Sequence, residues 1–179
     1  MARPRIDKSD LLTALAAHVL EHGLNTASLR PMAAAAGTSD RMLIYHFGSK
    51  DGLVTALLDY LAAAFERRLD IALPAKRYDS ESALLQDVAA LVRTPEFSPY
   101  IRIWLDIVSA SAQGQTAHRE AGRAIINTFI NWLAIRHPEG SARAAFMLTM
   151  IEGIHVMDAI GQSDTADAAI IALSKRSTP

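Results

Sequence analysis

The sequence predicts an all-α protein of about nine helices. Three observations carry this: alanine and leucine are abundant, strand-like alternation is missing, and glycine and proline fall between apolar-periodic runs. Leu11, Leu12, Leu15 and Val19 form one stripe behind the cap candidates Asp7 and Ser9, and Gly23 ends the run. Ser28 caps a second, short helix that carries Pro31 in its first turn, where a missing N–H costs nothing, and Gly37 closes it. Thr38 or Ser39 caps a third, with Leu43 and Phe47 on its inner face and Gly48 behind it. A long fourth helix covers about 49–73 and stops at Pro74 and the polar stretch 75–80. Five more follow at about 80–93, 98–112, 116–136, 140–160 and 164–175, separated by Pro95, Pro99, Gly114, Pro138 and Gly161.

The composition narrows the function classes. With 179 residues, half of them hydrophobic, the chain is long enough to bury a real core. It has no cysteine, which excludes a disulfide scaffold, a thiolate zinc site and a cysteine nucleophile. No stretch approaches the roughly 18 uncharged apolar residues of a membrane span, and residues 1–10 are polar rather than a signal peptide. A cytoplasmic protein away from the membrane is expected. Net charge is −1, but its distribution is uneven: six Lys and Arg against four acids through Lys50, then twelve against fifteen. Such a bias suits a chain whose N-terminal part alone meets phosphates.

Two short helices joined by a tight glycine-containing turn, after a longer helix, have the proportions of a helix-turn-helix whose second short helix enters the major groove. A plain helical hairpin packed for stability has the same spacing. The side chains favour the groove. Once Leu43 and Phe47 turn inward, Asp40, Arg41, Ile44 and Tyr45 fall on the outer side. Ser28, the N-terminal N–H groups of both short helices and Lys50 suit phosphate contacts.

The segments Ser28-Leu-Arg-Pro-Met-Ala-Ala-Ala-Ala-Gly37, Thr38-Ser-Asp-Arg-Met-Leu-Ile-Tyr-His-Phe47 and Gly48-Ser-Lys-Asp-Gly-Leu53 resemble the TetR family of transcriptional regulators, with the HF-x-x-K-x-x-L ending as the most specific part. The resemblance covers roughly 6–58. It implies that Ser28 and Arg30 on the second helix and Asp40, Arg41 and Ile44 on the third face DNA, with Ser39 in the same set. Tyr45, His46 and Lys50 match phosphate-contacting positions. Met32, Ala33, Leu43 and Phe47 match internal ones. Ile44 departs from the pattern: it stands where the family usually has a tyrosine, cannot donate to a phosphate, and suits a thymine methyl instead. Arg41 suits guanine O6 and N7. Asp40 either accepts from cytosine N4 or caps its helix, and His46 has the alternative of bonding neighbouring backbone. Arg3 and Arg5 are either a minor-groove arm or an ordinary basic tail.

For the remainder the resemblance implies a small-molecule cavity and two final helices that form a four-helix bundle with a partner subunit. The expected domains are 1–50, a helix-turn-helix DNA-binding domain, and 51–179, a helical ligand-binding and dimerisation domain. Ala144, Ala145, Leu148, Ile151, Ile154 and Ile160 are the expected partner-facing stripe. Trp104, Phe129, Trp132, Met147, Met150 and His155 are the pocket candidates, each equally readable as core. Glu152 and His155 match half of a di-iron motif, but no second copy exists, and Asp158 only extends a polar stripe. No H-E-x-x-H, Walker loop, dinucleotide fingerprint or serine elbow is present, so neither catalysis nor a cofactor is expected. The expectation is a homodimeric repressor on near-palindromic double-stranded operator DNA, released by an effector. The rivals are a helical-bundle metal enzyme or carrier built on Glu152 and His155, and a DNA-binding module whose second half serves assembly only.

Overall fold

The computed structural model describes residues 7–24 and 28–176, and among these it consists of nine α-helices without a strand. They are α1 (Lys8–His22), α2 (Leu29–Ala35), α3 (Asp40–Phe47), α4 (Lys50–Ala72), α5 (Glu81–Val92), α6 (Ser98–Ala112), α7 (Thr116–Arg136), α8 (Ser141–Ala159) and α9 (Ser163–Arg176). Arg3 and Arg5 lie outside the described residues. Three glycines depart from the expected punctuation: Gly52, Gly122 and Gly153 sit within helices. None of the helices described is long and apolar enough to cross a membrane.

The chain forms two compact units. One takes in α1 to α3, α4 as far as Arg67, and Pro99–Arg123; the other takes in Arg68–Ser98 and the chain from Ala124 onward. Leu53, Leu57, Leu58 and Leu61 of α4 are buried in the same unit as the short helices, so the N-terminal core is not closed by three helices alone.

In the first unit α2 packs on both α1 and α3. Leu11, Leu15 and Val19 recur every four residues along α1 and are buried, as a stripe of helical period requires. They meet a core that includes Met32 and Ala33 of α2 and Leu43 and Phe47 of α3. The Thr13 and Tyr60 hydroxyls pair at 3.0 Å between α1 and α4, and the rings of Phe65 and Tyr100 meet at 5.3 Å between α4 and α6.

The second unit is built on mutual packing of α5, α8 and α9. Leu84, Leu85, Val88 and Val92 of α5 are buried, as are Met147, Leu148, Ile151 and Ile154 of α8 and Ala166 and Ile170 of α9. Polar ties fix these helices in register. Arg93, just past α5, grips both carboxylate oxygens of Asp158 at 2.7 and 2.9 Å and reaches Asp167 on α9 at 2.7 Å. Glu81 opens α5 and accepts from Arg143 of α8 at 3.0 Å and from His137 at 3.0 Å. The other ring nitrogen of His137 accepts the Glu139 N–H at 3.0 Å, which puts the imidazole proton on Nε2, facing Glu81.

The expected partner-facing stripe of α8 is corrected by this packing. Ala144, Leu148, Ile151 and Ile154 are spent inside the unit, and only Ala145 and Ile160 of that set are exposed. The large apolar residues that α8 leaves exposed are Phe146 and Val156, with Ile160 just past its end.

These ties make stability depend on acid. Burial pushes the Glu81 carboxyl up, but hydrogen bonds from Arg143 and His137 outweigh it and hold the group below its ordinary 4.5. The Arg93 hydrogen bond likewise holds Asp158 below 3.8 against the effect of burial. A carboxyl depressed by folding stabilises the native state above its unfolded value, and the contribution disappears as pH falls through the folded value. Urea midpoints are therefore expected to drop steeply below about pH 4.5, and Glu81→Gln to flatten that drop while lowering stability at neutral pH. Parallel curves for the two proteins would contradict this.

Candidate nucleic-acid interface

The helix-turn-helix is closed by local chemistry. Ser39 has an extended backbone and its hydroxyl accepts the Met42 N–H at 3.3 Å, so Ser39 is the cap of α3. Asp40 is thereby the first helical residue rather than the cap, its carboxylate exposed in the first turn where the helix dipole favours an acid. Ser49 caps the next helix, accepting the Gly52 N–H at 3.0 Å. A Cβ on Gly52 would lie 2.3 Å from the Phe47 carbonyl oxygen. That residue must be glycine for α4 to start so close to the end of α3.

Leu43 and Phe47 are buried, which rolls α3 so that Arg41, Met42 and Tyr45 stand outward as a ridge. Tyr45 is 78% exposed and Met42 41%. Ser28, Arg30, Ser39, Asp40, Arg41 and Lys50 are exposed, Ile44 is half-buried on the flank, and His46 is half-buried with its ring edge-on to Tyr45 at 5.4 Å. The Lys8 ammonium lies 4.9 Å from the Phe47 ring and ties the start of α1 to the inner face of α3. All nine expected DNA-facing residues belong to the first unit.

Met42 was not among the groove-facing residues read from the sequence. Its signal was available: with Leu43 and Phe47 inward, position 42 turns outward beside Arg41. An exposed thioether between a guanidinium and a phenol can lie against a base edge or a thymine methyl, where apolar contact discriminates.

The pocket candidates are less unified. Trp104 of α6 belongs to the first unit, whereas Phe129 and Trp132 of α7 and Met147, Met150 and His155 of α8 belong to the second. Trp132 is buried and donates its indole N–H to Asp70 at 2.9 Å, Met147 is fully buried, and Phe129 and Met150 are half-buried. His155 is 6% exposed with no hydrogen-bond partner at either ring nitrogen, and Glu152 stands 3.8 Å from its Nδ1, beyond hydrogen-bond reach. Asp158, the third member of that stripe, is held by Arg93. Among the described residues no three His, Asp or Glu side chains gather as metal ligands would.

The first unit thus holds two short helices in helix-turn-helix order, the second with an outward-facing ridge. The sequence model for bacterial regulatory proteins of the tetR family matches residues 11–57, from α1 into the early turns of α4. A curated relative, the HTH-type transcriptional repressor NicS of Pseudomonas putida, is 31% identical over 99 residues, 50% of this chain and 44% of NicS. The chain therefore spans less than half the length of that relative. Among solved structures, a transcriptional regulator from Rhodococcus sp. Rha1 superposes with a TM-score of 0.71 at 22% identity, covering 95% of this chain and 97% of the other. The multidrug binding protein EbrR, complexed with imidazole, gives 0.70 at 19% identity, covering 94% and 95%. At such identities the likeness is one of fold. Residues 11–57 thus match the TetR family of bacterial regulatory proteins.

Proposed function

We propose that this protein is a homodimeric transcriptional repressor that binds operator DNA through α3 and is released by a small-molecule effector. One observation carries the DNA-binding part: the outward ridge of Arg41, Met42 and Tyr45 on a helix anchored from behind by Leu43 and Phe47. Arg41 and Met42 read base edges, with Asp40 and Ile44 flanking them. Ser28, Arg30, Ser39, Tyr45, His46 and Lys50 meet the backbone and set the register. Residues 1–50 do this work, in the cytoplasm where the chromosome lies, and 51–179 sense and assemble.

The exposed apolar residues Phe146 and Val156 of α8, Ile160 just past it and Ile171 of α9 form the surface that a second copy covers. The effector enters the second unit near Phe129, Trp132, Met147, Met150 and His155. Its binding favours a dimer whose two heads no longer match successive major grooves. The naming of NicS as a repressor and of EbrR as a multidrug binding protein supports both halves of the proposal.

Selection of bound duplexes from a random pool tests it. Recovered sites should be near-palindromic, with half-sites about one helical turn apart. On such a site Arg41→Ala should cost about 1–3 kcal/mol and relax preference at particular base pairs, while Lys50→Ala weakens all sequences alike and lowers the salt slope by about 1. Recovery of no duplex, or equal effects of both changes on every sequence, contradicts the proposal.

A further inference from the structure

Helix α6 presents Arg102 and Asp106 four residues apart, on one face, to the end of α1. The Asp106 carboxylate accepts the backbone N–H of Leu24 at 3.0 Å. The Arg102 guanidinium donates to the carbonyl of Leu20 and, at 3.3 Å, to that of Glu21. These carbonyls belong to the last turn of α1, where a helix has no partner of its own for them and carries the negative end of its dipole. Leu24 is the second residue past the helix, and Gly23 between them has a φ of +86°, a conformation that side-chain-bearing residues rarely adopt. A cation therefore holds the carbonyls leaving α1, and an acid holds the first buried N–H after the turn. Four residues beyond Leu24 stands Ser28, where α2 begins. The grip thus falls where the chain passes from α1 into the helix-turn-helix.

We infer that Arg102 and Asp106 are positioning residues, a clamp by which α6 fixes the pose of the DNA-reading helices, an inference that rests on the DNA-binding proposal above. Neither residue lies on the outward ridge, and neither carries the core of α1, which Leu11, Leu15 and Val19 supply. What the clamp contributes is direction. With both groups in place the end of α1, from Leu20 to Leu24, is held in one pose; without them it samples several, and the ridge of α3 spreads over as many poses. A duplex needs one of them, so apparent affinity falls in proportion to the fraction of molecules that hold it. Because no phosphate or base contact is lost, the loss is uniform over sequences and leaves the salt slope intact. This pattern separates a positioning residue from Arg41, which changes sequence preference, and from Lys50, which changes the slope.

The test uses the full-length protein and a duplex recovered by selection with the wild type. Asp106→Ala is expected to bind about ten-fold more weakly, with the wild-type ranking of sequences, the wild-type salt slope, and faster amide hydrogen exchange at Leu24. Asp106→Asn keeps an acceptor in place and should restore most of the affinity and the slow exchange. If Asp106→Ala fails to fold, Arg102→Gln, which leaves the Asp106 bond intact, provides the same readouts. Unchanged or tighter binding, an altered salt slope or sequence ranking, or failure of Asp106→Asn to rescue would overturn the clamp. A wild type that recovers no duplex at all removes the DNA-binding proposal itself, whereas a wild type that binds alongside an indifferent Asp106→Ala removes only the clamp.

Discussion

Gly52→Ala is expected to abolish specific DNA binding and to destabilise the first unit, although alanine is the better helix former. On propensity alone the change would stabilise α4 by about 1 kcal/mol. The new Cβ would stand 2.3 Å from the Phe47 carbonyl oxygen and 3.3 Å from the Ser49 hydroxyl. The serine side chain can rotate away, but the carbonyl is backbone and moves only with the end of α3. Forcing a methyl into a packed site costs about 1–3 kcal/mol, which cancels the propensity gain or exceeds it. The displacement falls on Phe47, the inner anchor of the helix that bears Arg41, Met42 and Tyr45. DNA affinity should therefore fall much further than thermal stability, because a shift of about 1 Å in a reading helix breaks bidentate geometry while leaving most of the core buried. A variant with wild-type melting temperature and wild-type affinity would show that α3 and α4 have room to separate.

Arg136→Ala should produce the largest loss of stability in the second unit. The side chain is 1% exposed, and its guanidinium lies 3.8 Å from the centre of the Trp132 ring. It donates to the Leu73 carbonyl at 2.8 and 3.0 Å, to the Trp132 carbonyl at 3.1 Å and to Asp70 at 2.7 Å. Leu73 follows the last turn of α4 and precedes Pro74, so its carbonyl has no continuing helix to bond it. Truncation leaves that carbonyl unsatisfied, opens a cavity beneath Trp132 and strips Asp70 of its cation. Breaking a buried charged pair costs about 3–5 kcal/mol. Asp70 is half-exposed and keeps the Trp132 indole N–H, which places the expected cost near the lower end. Arg136→Lys should recover less than half, because a point charge cannot serve three acceptors in different directions. The check is the urea midpoint; a loss below about 1 kcal/mol would mean that water replaces the guanidinium without penalty.

The helices themselves were legible because their ends are written in local chemistry. Ser39 caps where serine was expected to, whereas Ser28 stands at the cap position of α2 without a capping side-chain hydrogen bond, and α6 and α7 begin and end where the apolar period and the breakers Pro95, Gly114 and Pro138 placed them. The outward ridge of α3 was legible for the same reason, since two buried residues four apart determine where every other side chain of a short helix points. Of the two readings of Asp40, capping is removed, because Ser39 holds the cap position and its hydroxyl accepts the Met42 N–H.

Periodicity and the breakers between the apolar runs determined nine helices and one reading face. Which side of α8 turns inward was decided only in three dimensions. Apolar residues fall on more than one side of that helix, so their period alone does not say which side is inner, and packing against α5 and α9 consumed Leu148, Ile151 and Ile154 while leaving Phe146 and Val156 outside. The burial of Arg136 and His137 was equally beyond the sequence. A charged or titratable side chain enters a core only when its partners come from distant positions, here Asp70, Leu73 and Glu81, and nothing along the chain announces that they will meet. The same holds for Arg102 and Asp106, whose partners lie some 80 residues earlier. Local rules act over a few residues, whereas the satisfaction of buried polar groups is settled by the whole fold.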